Sequence, residues 1–339
     1  MRRCAAVVKL SCAVLGAGLI SVNRADASGL YGHTGLGGGF RWDAAPRNIG
    51  GFERSLSGGI RYSLQGGSYQ AYRDLFTWNV VPSVPVFQQT VQEAFNAWTV
   101  VDPASGLGSN LSFVPDLSTP VVGTGAGGIN TAGAEIDLLA TLDGSTWNPG
   151  DPGTRGETFF NAQFGNVRLT SGTANYPGGG AISGADVTLN RNPGAVYTLD
   201  VFRLLLTHEL GHAIGMSDAD VQAGAGGVFI DDNYNGATNA TALATLTNSW
   251  AAMVNPMNPA ASVGLSLFTV NNGAPGIDTP GVNILMESQG LGGQFGNLTP
   301  MSNDDYGGRQ FLYPFIPEPA TAVMLGVLGL GAAARRRRS

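Results

Sequence analysis

The sequence predicts an α+β fold, and two features of its apolar pattern lead to this prediction. Five short stretches alternate apolar and polar residues, as half-buried strands do, and all of them lie before residue 191. One helical pattern falls between the first and second stretches, and the other helical patterns follow the fifth. Strands grouped early with helices after them are typical of α+β domains, whereas α/β domains alternate the two.

The predicted elements begin after a Gly-rich segment, residues 28–59, which we expect to be irregular. The first helix is predicted over 84–101, because its apolar residues recur at helical spacing and Ser83 is placed to cap it. The strands are predicted at residues 60–64, 111–114, 136–140, 167–169 and 185–189.

A second helix is predicted over 198–214, where an amphipathic pattern has end signals on both sides. Thr198 can cap its start, and Asp200 suits the positive end of the helix dipole. Gly215 follows the last apolar residue and can end the helix in a left-handed conformation. These signals predict a well-defined helix with a sharp turn after it.

The rest of the chain, after residue 218, has fewer regular elements. It is rich in loop-forming residues over 219–282, with one helix predicted near 240–254. A closing helix is predicted over 303–312, where Ser302 can serve as its cap.

Processing segments are predicted at both ends of the chain. Residues 1–27 have a basic start, an apolar run and the small-residue pattern Ala25-Asp26-Ala27, which is the layout of a secretory signal peptide. Residues 317–339 join Pro317-Glu318-Pro319 to an apolar stretch and the basic cluster Arg335–Arg338. Between these segments, residues 28–316 remain for the folded domain.

The predicted mature chain is acidic and has neither cysteine nor lysine. Cys4, Cys12 and Lys9 all lie in the predicted signal peptide. Residues 28–316 hold ten arginines and 22 acidic residues, a net charge of about −12. Such a surface argues against nucleic acid or an anionic membrane as a partner. Without disulfides, core packing and bound metal are expected to stabilise the domain.

The second helix carries the motif that points to chemistry, from His208-Glu209 to Gly211-His212. Residues four apart share a helix face, so the two histidines can present imidazole nitrogens to one ion. A catalytic zinc takes three protein ligands and keeps its fourth position for water. Glu209 lies one residue round the helix, from where it can act as general base on that water.

The third ligand must come from the chain beyond the helix. Gly215 allows the chain to turn back, because glycine tolerates positive φ. Asp218 stands three residues further on, and a carboxylate oxygen is an acceptable zinc ligand. The only histidine outside the motif is His33, in the Gly-rich segment, so Asp218 is the leading candidate and Asp220 is the alternative.

The extended motif resembles that of the metzincin metallopeptidases, with the snapalysin-type Asp as third ligand and matrixin-like surroundings. The resemblance implies a five-stranded, twisted, mixed sheet with an active-site helix and a C-terminal helix. It also implies a zinc endopeptidase whose peptide substrate lies along an edge strand, here expected over 181–189. Metzincins place a methionine beneath the zinc. Met286 is the candidate and Met257 the alternative, and residues 219–282 would be an insertion.

The C-terminal segment resembles the PEP-CTERM sorting signal of Gram-negative bacteria. The resemblance implies recognition by an exosortase at the inner membrane, a transient membrane association through the tail, and release to the cell envelope or the extracellular space. A plain C-terminal anchor is the alternative. The apolar run is shorter than the roughly 20 residues that a span needs, which favours sorting.

Two alternatives stay open at this point. Residues 231–236, Asp-Asp-Asn-Tyr-Asn-Gly, resemble half of a calcium loop, but an ordinary Asn/Gly turn explains them equally well. The chain as a whole can also be a non-catalytic matrix or envelope protein, either with a structural zinc or with the tail as its only signal. Glu209 favours the enzyme, because a structural site has no use for a carboxylate at that position.

Overall fold

The structure is a computed structural model, and its description covers a defined part of the chain. The described residues are 40–44, 46–49, 51–100, 109–122, 133–144, 150, 153, 155–164, 180–218, 227–229, 268–270, 285–286, 305, 308–309 and 312–313. The predicted signal peptide and C-terminal sorting segment lie outside them. None of the described helices is long and apolar enough to cross a membrane.

The described part of the chain contains ten strands and three helices. In order they are β1 (Phe40–Trp42), β2 (Asn48–Ile49), β3 (Phe52–Glu53), β4 (Ile60–Leu64), α1 (Tyr69–Arg73), α2 (Val84–Ala97), β5 (Phe113–Pro115), β6 (Ile136–Thr141), β7 (Gly156–Phe164), β8 (Gly180–Asn190), α3 (Leu199–Ala213), β9 (Gly227–Phe229) and β10 (Phe268–Val270). Strands together with separate helices confirm the predicted α+β class.

Six strands form the main sheet, and β8 pairs with three of the others. One edge of β8 pairs in parallel with β1 near its start and with β6 further along. The sheet continues in parallel from β6 to β4 and from β4 to β5. The other edge of β8 pairs with β7, which runs antiparallel. Two small antiparallel pairs, β2–β3 and β9–β10, lie outside this sheet.

The expectation of a five-stranded mixed sheet was wrong in strand number and in direction. The sheet has six strands and is largely parallel, with β7 as the one antiparallel member in the described part. The extra strand β1 lies in the segment expected to be irregular. It is three residues long, Phe40-Arg41-Trp42, which is too short for alternation to predict a strand. The predicted strand at 167–169 lies outside the described residues.

The prediction that residues 181–189 form an edge strand was also wrong. These residues belong to β8, which pairs along both of its edges. In the described part of the chain, β7 has β8 as its only neighbour and is the edge strand on this side of the sheet. Strand β7 was not predicted, although its second half, residues 160–164, alternates apolar and polar residues. Its first half does not, because Glu157, Thr158 and Phe159 are consecutive and all buried.

The helices differ from prediction mainly at their ends. Helix α2 stops at Ala97, short of residue 101, and Ser83 is its N-cap residue but makes no side-chain capping bond. Pro85, in the first turn, favours the helix start instead. Helix α1, capped by Ser68, is too short to show a helical period and was not predicted. The predicted helix near 240–254 lies outside the described residues.

One apolar core joins α2 and α3 to the sheet. Alternate residues of β4, β6 and β8 share one face and pack with both helices. Tyr62 stacks on Phe95 with ring centroids 4.1 Å apart, and Trp98 donates from its indole nitrogen to Thr207 O at 2.9 Å. These contacts fix α3, and with it the motif, against the sheet.

The end of α3 has the geometry that the sequence predicts for Gly215. This glycine has φ +102°, in the left-handed region. The Gly215 N–H donates to His212 O at 2.9 Å, and the Met216 N–H donates to Gly211 O at 2.9 Å. This pair of bonds is the Schellman arrangement that terminates many helices. A Cβ at position 215 would collide with the carbonyl oxygen of Phe40 on β1.

We therefore expect Gly215→Ala to lower the free energy of unfolding by about 1–3 kcal/mol. Alanine would be strained at this positive φ, and its Cβ would collide with the Phe40 carbonyl oxygen. Urea unfolding in the presence of a chelator measures the change without a contribution from metal. Gly51→Ala is the matched control, since Gly51 has φ +93° but nothing within 4 Å of its Cβ position. Equal losses in the two variants would contradict a tight contact between β1 and the turn.

Candidate metal centre

Helix α3 brings the predicted histidines together on one buried face. Its start is as predicted: the Thr198 hydroxyl accepts from the Val201 N–H at 3.2 Å. From Leu204 to Ala213 every residue is buried, so the motif lies inside the protein. The rings of His208 and His212 lie with centroids 4.7 Å apart and nearly perpendicular.

The turn at Gly215 returns the chain so that Asp218 joins these histidines. Asp218 Oδ1 lies 3.3 Å from the Nε2 atom of His208 and 3.3 Å from that of His212. The two Nε2 atoms are 3.1 Å apart. One ligand atom from each of the three residues thus converges on a single point, within 4.8 Å of the others.

Hydrogen bonds to backbone carbonyls fix the orientation of both imidazoles. His208 Nδ1 lies 2.7 Å from Leu285 O, and His212 Nδ1 lies 3.0 Å from Met216 O. A carbonyl oxygen only accepts, so each Nδ1 donates. In the neutral tautomer the lone pair is then on Nε2, the atom that points at the other ligands. Metal-binding histidines are held in the same way by bonds from their second nitrogen.

The charge balance of the group calls for a cation. Asp218 is 4% exposed, and its Oδ1 has no hydrogen-bond partner among the described residues. Burial lowers the pKa of His208, but the adjoining Asp218 carboxylate outweighs this and raises it to about 9. Burial would raise the pKa of Asp218, yet the two imidazoles hold it at about 2. The group therefore attracts a proton or a metal ion, and it can hold a metal.

Glu209 lies beside this group without belonging to it. Its carboxylate is 1% exposed, and Oε2 accepts from the hydroxyl of Thr158 on β7 at 2.7 Å. Burial raises the pKa of Glu209, and the neighbouring imidazoles and the Thr158 hydroxyl oppose this only in part. The arrangement keeps one carboxylate next to the ligands and anchors it to the sheet.

Met286 packs against the helix that carries the ligands. It is fully buried, and a Cβ at Gly211 would collide with its sulfur atom and lie 2.7 Å from a ring carbon of Trp98. The Asp305 carboxylate accepts from Leu285 N at 2.9 Å and from Met286 N at 3.2 Å. The turn at 285–286 therefore supports His208 through the Leu285 carbonyl and α3 through the methionine side chain.

The closing helix is described in part. Asp305, Arg309 and Leu312 have helical backbone, and Tyr313 N donates to Arg309 O at 2.8 Å. Other predictions fall outside the described residues: His33, Asp220, Met257, the calcium-loop candidate at 231–236 and, apart from the backbone of β9 and β10, the insertion at 219–282.

Sequence reasoning missed several groups that complete the centre. They are Thr158, Gly156, the carbonyls of Met216 and Leu285, and Asp305. A carbonyl carries no residue signature, and the side chains come from segments far from the motif in sequence. Thr158 reaches Glu209 across 51 positions of the chain. Thr158 and Glu209 meet only because β7 pairs with β8 and α3 packs on the sheet.

Comparison with known proteins adds no family assignment to this geometry. The chain matches no protein-family model. No curated protein matches it at a significant level either. The resemblance to metzincins therefore rests on the motif and the order of the surrounding elements, and it stays a prediction.

If Asp218 is the third ligand, Asp218→Ala should weaken zinc binding by more than about 100-fold, beyond the loss typical of a residue that only supports a ligand. Isothermal titration calorimetry with zinc as the probe measures this. Asp200→Ala is the control, because Asp200 lies on the same helix with a 69% exposed side chain. Unchanged affinity in Asp218→Ala would exclude it as a ligand and leave Asp220 as the candidate.

Proposed function

We propose that the protein is a secreted, zinc-dependent endopeptidase of metzincin-like fold. The observation that carries the proposal is a buried group of two histidines and one aspartate with an anchored carboxylate, Glu209, beside it. The parallel strands β5, β4, β6 and β8, with antiparallel β7 at the edge and α3 packed below, support the fold.

Zinc is the metal that the donor set favours. Two imidazole nitrogens and one carboxylate oxygen are ligands that zinc accepts, and magnesium and calcium prefer oxygen ligands only. Three protein ligands leave a position open, as in catalytic zinc sites, whereas structural sites are closed by four. Among the described residues, His208, His212 and Asp218 are the one group of this kind.

When bound, zinc supplies Lewis acidity, which polarises a carbonyl and lowers the pKa of a coordinated water to about 7. Glu209 does the proton transfer in this proposal. Its carboxylate accepts a proton from the attacking water and returns it to the amine that leaves. Its buried position suits this duty, because burial disfavours the charged form and raises the pKa of the carboxyl.

The edge strand β7 favours a peptide as the substrate. It has β8 on one side and no other strand partner in the described part of the chain. Its outer edge, beside which the described residues include no further strand, can therefore pair with an extended peptide through main-chain hydrogen bonds. Gly156, at one end of β7, lies against the Glu209 carboxylate. A peptide on this edge would run past the group that activates water.

The second candidate is a non-catalytic matrix or envelope protein with a structural zinc. This candidate requires the same three ligands, but it assigns no function to Glu209 or to the edge strand β7. The predicted signal peptide implies export, and the predicted sorting segment implies recognition of the tail by an exosortase. Both segments fit either candidate. Activity, rather than location or metal content, separates the two.

The test is cleavage of a broad peptide library by the purified full chain with one zinc bound. We expect cleavage that a chelator abolishes, and a fall in kcat of about 10²–10⁴-fold in Glu209→Gln with zinc content unchanged. Glu93→Gln is the control, because Glu93 pairs with Arg203 on the protein surface at 2.8 Å. One bound zinc without cleavage in the wild type would favour the structural role instead.

A further inference from the structure

Two residues of β7 enclose the carboxylate of Glu209 from the sheet side. The Thr158 hydroxyl oxygen lies 2.7 Å from Glu209 Oε2 and 3.0 Å from the Glu209 backbone oxygen. Gly156, two positions away on the same face of the strand, lies against the other oxygen. A Cβ built on Gly156 would be 2.5 Å from Oε1 and 2.9 Å from Cδ.

We infer that Thr158 is a positioning residue for Glu209, and that Gly156 is required to leave room for the oxygen that Thr158 does not hold. Thr158 anchors Oε2, so Oε1 is the oxygen that is left to exchange a proton. This inference rests on the proposed function, in which Glu209 is the base. It goes beyond that function by assigning a role to β7 other than binding the peptide.

A threonine hydroxyl suits this task because it has one proton and two lone pairs. Towards the ionised carboxylate it donates to Oε2. When Oε1 takes up a proton, Oε2 becomes a carbonyl-type oxygen that still accepts, so the hydroxyl can go on donating to it. Thr158 can therefore keep Oε2 in place before and after the proton is taken up, without a change of rotamer at Glu209.

Because both partners are buried, loss of the hydrogen bond between Thr158 and Glu209 should displace the carboxylate. Thr158 and Glu209 are 0% and 1% exposed, so water does not replace the hydroxyl when it is lost. The carboxylate would then turn towards another donor or towards the ligands. Misplacing a reacting group by about 1 Å costs on the order of 100-fold in rate. Residues that orient groups at metal sites contribute about 10- to 100-fold.

A merely structural role is the competing explanation, since the same hydroxyl can tie β7 to the backbone of α3. That role would change stability but would leave the turnover of the folded protein intact. Thr188 provides a matched control. It lies on the neighbouring strand β8, is fully buried, and its hydroxyl has no hydrogen-bond partner among the described residues.

The experiment compares Thr158→Val, Thr158→Ser, Gly156→Ala and Thr188→Val in the full chain. We expect kcat to fall about 10- to 100-fold in Thr158→Val and in Gly156→Ala, with KM and zinc content unchanged. Thr158→Ser should restore kcat to within a few-fold, because it keeps the hydroxyl. Thr188→Val should keep the wild-type kcat.

Crystal structures of the variants give a readout that does not depend on activity. We expect the Glu209 carboxylate to leave its wild-type position in Thr158→Val and Gly156→Ala and to keep it in Thr158→Ser and Thr188→Val. An unmoved carboxylate with full kcat in Thr158→Val would overturn the inference. If Thr158→Val does not fold, Gly156→Ala decides by the same criteria. If wild type cleaves nothing, the proposed function fails, and the carboxylate position alone decides whether Thr158 positions Glu209.

Discussion

The structure around α3 depends on three electron-rich atoms that converge on one point. Two imidazole Nε2 atoms and one carboxylate oxygen lie 3.1–3.3 Å apart in the protein interior. Without a cation these atoms repel one another or share a proton, which is why the pKa of His208 is raised and that of Asp218 is lowered. A metal ion relieves the repulsion of all three at once. Burial of the three ligand atoms therefore also gives the group its affinity for a metal ion.

Holding these atoms together requires supports from distant parts of the chain. The Met216 carbonyl belongs to the turn after α3, where Gly215 has a positive φ and leaves room for Phe40 of β1. The Leu285 carbonyl comes from a second turn, which Asp305 holds through two backbone N–H groups. The site thus joins the first strand, the motif helix and the C-terminal part of the chain. Hydrogen bonds and close packing connect each of these parts to the ligands.

The parts of this centre that sequence predicts are the local ones. Helical spacing places His208 and His212 on one face, and glycine chemistry places the turn, so Asp218 follows within a few residues. The parts that sequence misses depend on burial on both sides or on contacts over long separations. The first half of β7 shows no alternation because both of its faces are covered, and β1 is too short for alternation to predict a strand. Thr158 has no motif, because its partner is chosen by strand pairing and helix packing.

Strand β7 serves two requirements of the proposed peptidase, which are binding of the substrate backbone and positioning of Glu209. Its outer edge, where no further strand lies among the described residues, can pair with the substrate backbone, while Gly156 and Thr158 on its other side enclose the Glu209 carboxylate. A peptide that straightens or shifts β7 would therefore move the base together with the bond to be cleaved. Register between substrate and base would then be kept by one rigid strand. This arrangement explains why a glycine and a hydroxyl residue occupy the two positions of β7 that face the Glu209 carboxylate.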